Sequence, residues 1–352
     1  MIDALNQQQM TSHIHIDGSE GGGQLLRSAL SLSLVTGQPF RMTNIRGARK
    51  PKPGLMRQHL TCVNAAAEVG DAAVDGAELG SMELVFSPGK IQGGDYRFAI
   101  GTGGSTLLVL QTLLPALWHA NAPSTLRIEG GTHNPMAPPF EFVDQCFLPA
   151  LAPIGAAASL KLERHGFMQA GGGVVTASVA PVPVWRKLSL LERGPLIETF
   201  GQVINAAVPA TVAERQIATA APLLGWSPEA FAIQELTENE SAGPGNAILV
   251  GARFAHVCEI ATGIAQRGTS AESVGHAPAK SLRTYLASHA PVGTHLADQL
   301  LLPMALGKGG EFRTLPLSRH SRTNMALIEK FLPVKWQAHD LGGGVWQVAC
   351  TV

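Results

Sequence analysis

Asp17-Gly-Ser-Glu-Gly-Gly-Gly-Gln-Leu-Leu-Arg27 is an acidic, glycine-dense stretch that runs directly into the apolar helix pattern Leu25, Leu26, Ala29, Leu30, Leu32, Leu34. Three consecutive glycines let the backbone approach a ligand with no Cβ in the way, and a helix start offers free N–H groups to an anion. The pattern is not a P-loop, because no Gly-Lys-Ser/Thr follows, and it lacks the dinucleotide Gly-x-Gly-x-x-Gly spacing. It adds a carboxylate, Glu20, ahead of the glycines and a cation, Arg27, one to two helical turns later. A glycine triplet is also a common tight turn, so the rest of the chain has to decide between the two readings.

The same grammar recurs twice. Gly103-Gly-Ser-Thr-Leu-Leu-Val-Leu-Gln-Thr-Leu-Leu-Pro-Ala-Leu and His295-Leu-Ala-Asp-Gln-Leu-Leu-Leu-Pro-Met-Ala-Leu are again a polar or glycine lead-in followed by a leucine-rich helix. Each has a second helix downstream, beginning near Pro53, Pro138 and Thr323, with short alternating strands such as His13-Ile-His-Ile and Leu126-Arg-Ile-Glu between them. This weak internal repeat predicts an α/β (α+β) fold of three βαβαββ-type units, each with two helices on a small sheet. Between the second and third units the chain carries its own helix and strand patterns. The expected organisation is therefore a discontinuous three-repeat domain over residues 11–182 and 281–345, a smaller inserted α/β domain over 183–280, and a flexible extension over 1–10.

The length of 352 residues suits more than one core, since single cores stop growing near ~250–300 residues. Lys plus Arg equals Asp plus Glu at 26 each, which leaves no net charge for holding nucleic acid nonspecifically; any RNA contact must come from a local basic patch. The four scattered cysteines, Cys62, Cys146, Cys258 and Cys350, form no C-x-x-C pair, which points to a reducing cytoplasm rather than a zinc ribbon or a disulfide framework. The uncharged run from Ala99 to Leu126 is broken by Gln111, Pro115 and His119 and reads as a buried helix with flanking loops, not a membrane span.

Several polar residues stand out for chemistry. His320 lies in Ser318-Arg-His-Ser-Arg-Thr-Asn324, a polar loop placed immediately before the last helix, with Arg319 and Arg322 on either side. Neutral imidazole is a nucleophile, and arginines can hold a phosphate in front of it; a capping loop with solvated charges is the plainer alternative. Arg46-Gly-Ala-Arg-Lys-Pro-Lys-Pro-Gly-Leu-Met-Arg57 is the strongest cationic cluster, stiffened by two prolines, and it offers Arg46, Arg49 and Arg57 to the phosphates of a nucleic-acid end. Asp298 sits near a helix start, where an N-cap role is expected. Gln111 is a polar residue inside an apolar helix, either a buried hydrogen-bonder or a pocket wall.

Taken together, Asp17–Ser33, Asn44–Leu60, Gly101–Trp118, the glycines from Gly171, His295–Leu306, His320 and Thr323-Asn324 resemble the RNA 3′-terminal phosphate cyclase family from about His13 to Lys335. The resemblance implies a three-unit fold related to enolpyruvyl transferases, with a smaller domain inserted before the third unit. It implies ATP-dependent conversion of an RNA 3′-phosphate into a 2′,3′-cyclic phosphate, with His320 as the histidine that becomes adenylylated. Gln111, His295, Leu296, Ala297, Asp298, Gln299 and Arg27 fall on ATP-contacting positions, and Glu20 falls on a carboxylate linked to Mg²⁺ or Mn²⁺. The departure is His295, where some relatives carry a tyrosine. The implied partner is RNA with a 3′-phosphate end, without a membrane, and a homodimer is one admissible assembly. A non-catalytic cyclase-like RNA-processing protein is the alternative, which the presence of His320 argues against.

Overall fold

The computed structural model describes residues 13–49, 51–168 and 170–352, so the extension expected over residues 1–10 lies outside the described residues. The opening stretch does run from strand into helix. Strand β1 (Ile14–Asp17) ends at its first residue, and α1 (Gly23–Thr36) begins at the third glycine of the triplet. The leucine pattern buries Leu25, Leu26, Ala29, Leu30, Leu32 and Leu34. The helix stops at Gly37, whose left-handed backbone lets its N–H reach the Ser33 carbonyl, a conformation that favours glycine. Strands β2 (Phe40–Thr43), β3 (Ala73–Asp75) and β4 (Leu84–Ser87) and helix α2 (Arg57–Val69) complete the unit. Its sheet has the order β1-β2-β4-β3, with β1 parallel to β2 and the other pairs antiparallel.

The second unit repeats that plan. Strand β5 (Asp95–Ala99), helix α3 (Thr106–Leu117) and strand β6 (Ser124–Gly130) lead to a broken helix, α4 (Phe140–Phe142), a π-helical turn Val143–Phe147 and α5 (Leu148–Leu151), then to β7 (Ala158–Arg164) and β8 (Gly173–Val179). The order is β5-β6-β8-β7, with the same parallel and antiparallel pairs.

The third unit is interrupted after its first strand. Strand β9 (Leu188–Leu190) gives way to β10 (Leu196–Ala206), α6 (Ala210–Leu224), β11 (Phe231–Leu236), β12 (Gly245–Phe254), β13 (Cys258–Ile264) and α7 (Ala271–Ala287). Only then come α8 (Thr294–Leu306), β14 (Gly310–Thr314), α9 (Arg319–Phe331), β15 (Lys335–Asp340) and β16 (Trp346–Thr351). The sheet β9-β14-β16-β15 again pairs its first two strands in parallel, Leu188 with Gly310 and Leu190 with Phe312. Strand β9 lies within the stretch expected for the insertion, yet it is an edge of this third sheet. Three residues with two buried leucines are too short a pattern to read as a strand before the partner, more than a hundred positions later, is known.

The intervening strands form a fourth sheet, β11-β10-β12-β13. It has its own apolar cluster, with Val203, Ile217, Ile248, Val250, Leu282 and Tyr285 packed between strands and helices α6 and α7. A larger cluster is continuous through the three repeats, where α1, α3, α8 and α9 bring Leu30, Leu113, Leu300 and Ile328 into a common interior. No helix among the described residues is long and apolar enough to cross a membrane.

Candidate active site

Helix α9 begins one residue after Ser318, so His320 sits in the first turn of a helix and not in the loop expected from the sequence. Ser318 is the N-cap, its Oγ accepting the Ser321 N–H at 2.9 Å. The amphipathic pattern then buries Ser321, Asn324, Met325, Leu327, Ile328 and Phe331, which leaves Arg319 and His320 exposed at the helix start. The first turn of α1 lies directly opposite. Glu20, Gly21, Gly22, Gln24 and Leu25 line a cleft together with Arg319, His320, Thr323 and Asn324. The two stretches are some three hundred residues apart in the chain, and they meet because α1 packs along α9.

The three glycines contribute differently to this cleft. A Cβ on Gly21 would lie 2.0 Å from Leu25 Cδ1, and one on Gly23 would lie 2.3 Å from His59 Nε2, so these two are closed by packing. Gly22, the N-cap of α1, has no side-chain cap and is approached only by the Arg49 guanidinium, 3.3 Å from its Cβ position. The open backbone of α1's first turn therefore borders the cleft with an arginine beside it, a setting that favours an anion. Glu20 Oε2 accepts from Arg319 Nη2 at 2.8 Å, and both side chains are largely exposed. Such a solvated pair is weak and exchanges readily for other partners.

Behind the exposed face lies a polar support. Asp298, expected to cap its own helix, instead sits inside α8, which starts at Thr294 with Gly293 as N-cap. Its Oδ1 accepts from Ser318 Oγ at 2.7 Å and from Ser321 Oγ, so it holds the first turn of α9 that carries His320. Gln111 of α3 donates to Gln299 of α8, so the polar position in the apolar helix has a partner in the third unit. His295 is exposed, whereas Leu296 and Ala297 are buried in the core, which leaves their side chains no direct part in ligand contact.

Asn324 belongs to the last motif of the sequence, with no role assigned to it there. It is 3 % exposed, it lines the cleft one helical turn beyond His320, and its Oδ1 has no hydrogen-bond partner. An unpartnered buried polar atom is costly unless a ligand satisfies it. Its spacing from His320 on an amphipathic helix was a usable signal only once the helix start at residue 319 was known.

The basic loop divides by residue. Arg46 directs Nη1 to the carbonyls of Lys52 and Gly54, at 3.1 and 2.7 Å, and thus holds the loop together from within. Arg49 and Arg57 are exposed. Arg27 packs with His59 against the Gly23 backbone, its Nη1 2.8 Å from the Gly23 Cβ position, and burial lowers its pKa. His59 is brought down to about 3 by burial and by the charges of Arg27 and Arg46. It is therefore neutral and accepts the Met56 N–H on Nδ1 at 3.3 Å. Arg322, the second arginine flanking His320 in the sequence, leans over the Trp346 ring at 5.2 Å and is not part of the cleft lining.

The donor set fits a phosphate ester and a metal that arrives with it. Arg319, Arg49 and the α1 N-terminus are complementary to a polyphosphate, and the unpartnered Asn324 Oδ1, an acceptor, suits a hydroxyl or amino group of the same ligand. Among the described residues no group of three His, Cys, Asp or Glu side chains is placed to hold a metal alone. A single carboxylate such as Glu20 matches Mg²⁺, which is commonly held by one or two carboxylates plus substrate phosphates.

A sequence profile of the family described as RNA 3′-terminal phosphate cyclase matches residues 18–338. The chain belongs to the RNA 3′-terminal phosphate cyclase family. A relative from Ralstonia nicotianae named RNA 3′-terminal phosphate cyclase is 53 % identical over 333 residues, covering 94 % of each chain. The match takes in both sides of the cleft, Glu20 to Leu25 and Arg319 to Asn324, so family membership and site geometry concern the same residues.

Proposed function

We propose that this protein is an ATP-dependent ligase that closes an RNA 3′-terminal phosphate to a 2′,3′-cyclic phosphate, with ATP as a substrate and His320 as the nucleophile. The single observation that carries the reading is His320 exposed at the start of α9, with Asn324 and its unpartnered Oδ1 one turn further along the same helix and the glycine turn and Glu20 across the cleft.

A phosphate monoester is a poor electrophile because it has no leaving group on its terminal phosphorus. An imidazole nitrogen of His320 attacks the α-phosphorus of ATP, forming a P–N bond as the α–β P–O bond breaks and pyrophosphate departs. An oxygen of the RNA 3′-phosphate then takes the AMP, and the P–N bond breaks. The adjacent 2′-OH finally attacks the activated 3′-phosphorus, loses its proton and expels AMP; the step is intramolecular, so proximity supplies much of the acceleration.

In this scheme Arg319 and Arg49 steady the departing charge. Glu20 is the residue to hold Mg²⁺ or Mn²⁺, which when bound supplies charge neutralisation to the phosphates. His295, Gln299 and Gln111 form the polar side of the nucleotide site, and Arg57 extends the basic edge toward the RNA end. Asp298 acts through Ser318 and Ser321 rather than on the nucleotide. The four free, buried cysteines accord with a reducing cytoplasm. Residues 191–290 work as an inserted unit, supported by their separate sheet and apolar cluster.

Incubation with radiolabelled ATP and Mg²⁺ tests the proposal. One AMP per chain through an acid-labile bond is expected, with 3′-phosphorylated RNA discharging the label and becoming cyclic. An equally labelled His320→Ala protein would overturn the assignment of the nucleophile.

A further inference from the structure

A buried carboxyl of the insertion touches the start of the site helix α8. Glu259 is on β13, paired with Ala252 of β12, and is 7 % exposed. A Cβ on Gly293 would lie 2.1 Å from its Oε1 and 2.6 Å from its Oε2, so the carboxyl is seated against the backbone that opens α8. Gly293 is the N-cap of α8, and no side chain of its own segment caps that helix. The Gly293 amide acts on the Glu259 carboxyl, so the carboxyl serves the N-cap's own amide from another sheet, as a Glu in the first turn does in a capping box. Oε2 is left without a partner.

The connection into α8 is fixed from the same side. Arg193 donates to the carbonyls of Ala290, Tyr285 and Ser288 at 2.9, 2.8 and 2.6 Å. From Gly293 the helix runs through His295, Asp298 and Gln299, and Asp298 holds Ser318 and Ser321 at the start of α9.

We propose that Glu259 is a positioning residue for the nucleotide step, its carboxyl fixing the start of α8 from the inserted sheet and, through Asp298, the placement of His320. The proposal rests on the adenylylation reading for its kinetic consequence but not for its structural one. Burial pushes the Glu259 carboxyl up to about 8 against the pull of the Gly293 amide, with Cys258 raising it and Arg193 lowering it. The other groups facing it are Tyr285 from α7 and Cys146 from the π-helical turn. A neutral carboxyl fits the dry seat. Ionisation as pH rises places a charge there with one oxygen unpartnered, and the seat at Gly293 loosens.

The test compares wild type with Glu259→Gln, which keeps the shape and stays neutral, from about pH 7 to about pH 9. In AMP-adduct formation the wild-type KM for ATP is expected to rise about tenfold relative to that of Glu259→Gln, with the limiting rate nearly unchanged. In the ligand-free proteins, hydrogen-exchange protection factors of the amides from 294 to 298 should fall over the same range in wild type and hold in Glu259→Gln. Superimposed profiles in exchange overturn the proposal, whatever the kinetics show. If wild type forms no AMP adduct while the exchange difference is present, the cyclase reading fails and the link from Glu259 to α8 stands.

Discussion

His320 is solvent-exposed, so removing its imidazole takes away the proposed nucleophile without opening a cavity. His320→Ala is expected to melt within about 0.5 kcal/mol of wild type and to form no AMP adduct, as mass spectrometry after ATP treatment will show. Glu20 has two readings, a metal carboxylate and a partner of Arg319. Glu20→Ala should impair adenylylation and shift its Mg²⁺ dependence, whereas Arg319→Ala should lower the rate with an unchanged Mg²⁺ midpoint; identical Mg²⁺ titrations for the two would leave Glu20 as an ion-pair partner only. For Asn324, replacement by Ala should raise the KM for ATP about tenfold while stability hardly drops, because the lost Oδ1 was unpartnered in the ligand-free protein. A normal KM would assign Asn324 to packing.

At the level of elements, the start of α9 is held by Ser318 and by Asp298 from α8. Ser318→Ala removes the cap to Ser321 and should cost about 1 kcal/mol, with Ser318→Thr, which keeps both the cap oxygen and the hydroxyl that donates to Asp298, restoring much of it; denaturant unfolding measures both. The second unit depends on a buried pair of similar kind. His133 Nε2 lies 2.9 Å from Glu141 Oε2 where β6 leads into α4, and the histidine is fully buried. Burial would raise the Glu141 carboxyl, and the charge and hydrogen bond of His133 outweigh it and hold it below the usual carboxylate value. Glu141→Ala strands His133 and should destabilise by about 3 kcal/mol. These elements were legible as helices and strands, because leucine spacing and strand alternation are local signals. Their ends were less so: a polar run such as Ser318 to Asn324 reads equally as loop or first turn until Asp298 is seen to accept from both serines.

For the whole molecule, the buried carboxyl between insertion and repeats sets a pH signature. The folded pKa of Glu259 is raised from 4.5 to about 8, so between those values the folded chain holds a proton that the unfolded chain has released. Its contribution to stability is complete below the unfolded value and is lost as pH rises through the folded one. Unfolding free energy should therefore decline across that window by up to about 1.4 kcal/mol per pH unit more in wild type than in Glu259→Gln. Equal slopes for the two would show that the group ionises freely in the native state.

The order of polar or glycine lead-in, leucine helix and second helix, met three times in one chain, determined the repeat and the fold class, because each signal is a periodicity carried by neighbouring residues. His320 and the carboxylate of Glu20 were visible as residue types suited to phosphate chemistry. Tertiary structure decided what no local pattern encodes: that α1 and α9 face each other across one cleft, that Arg46 turns inward while Arg49 stays at the glycine turn, and that Asp298 supports α9 rather than its own helix. It also placed β9 in the third sheet and brought Glu259 to the start of α8. Each of these depends on partners far apart in sequence, and burial and hydrogen bonding between them exist only once the chain has closed on itself.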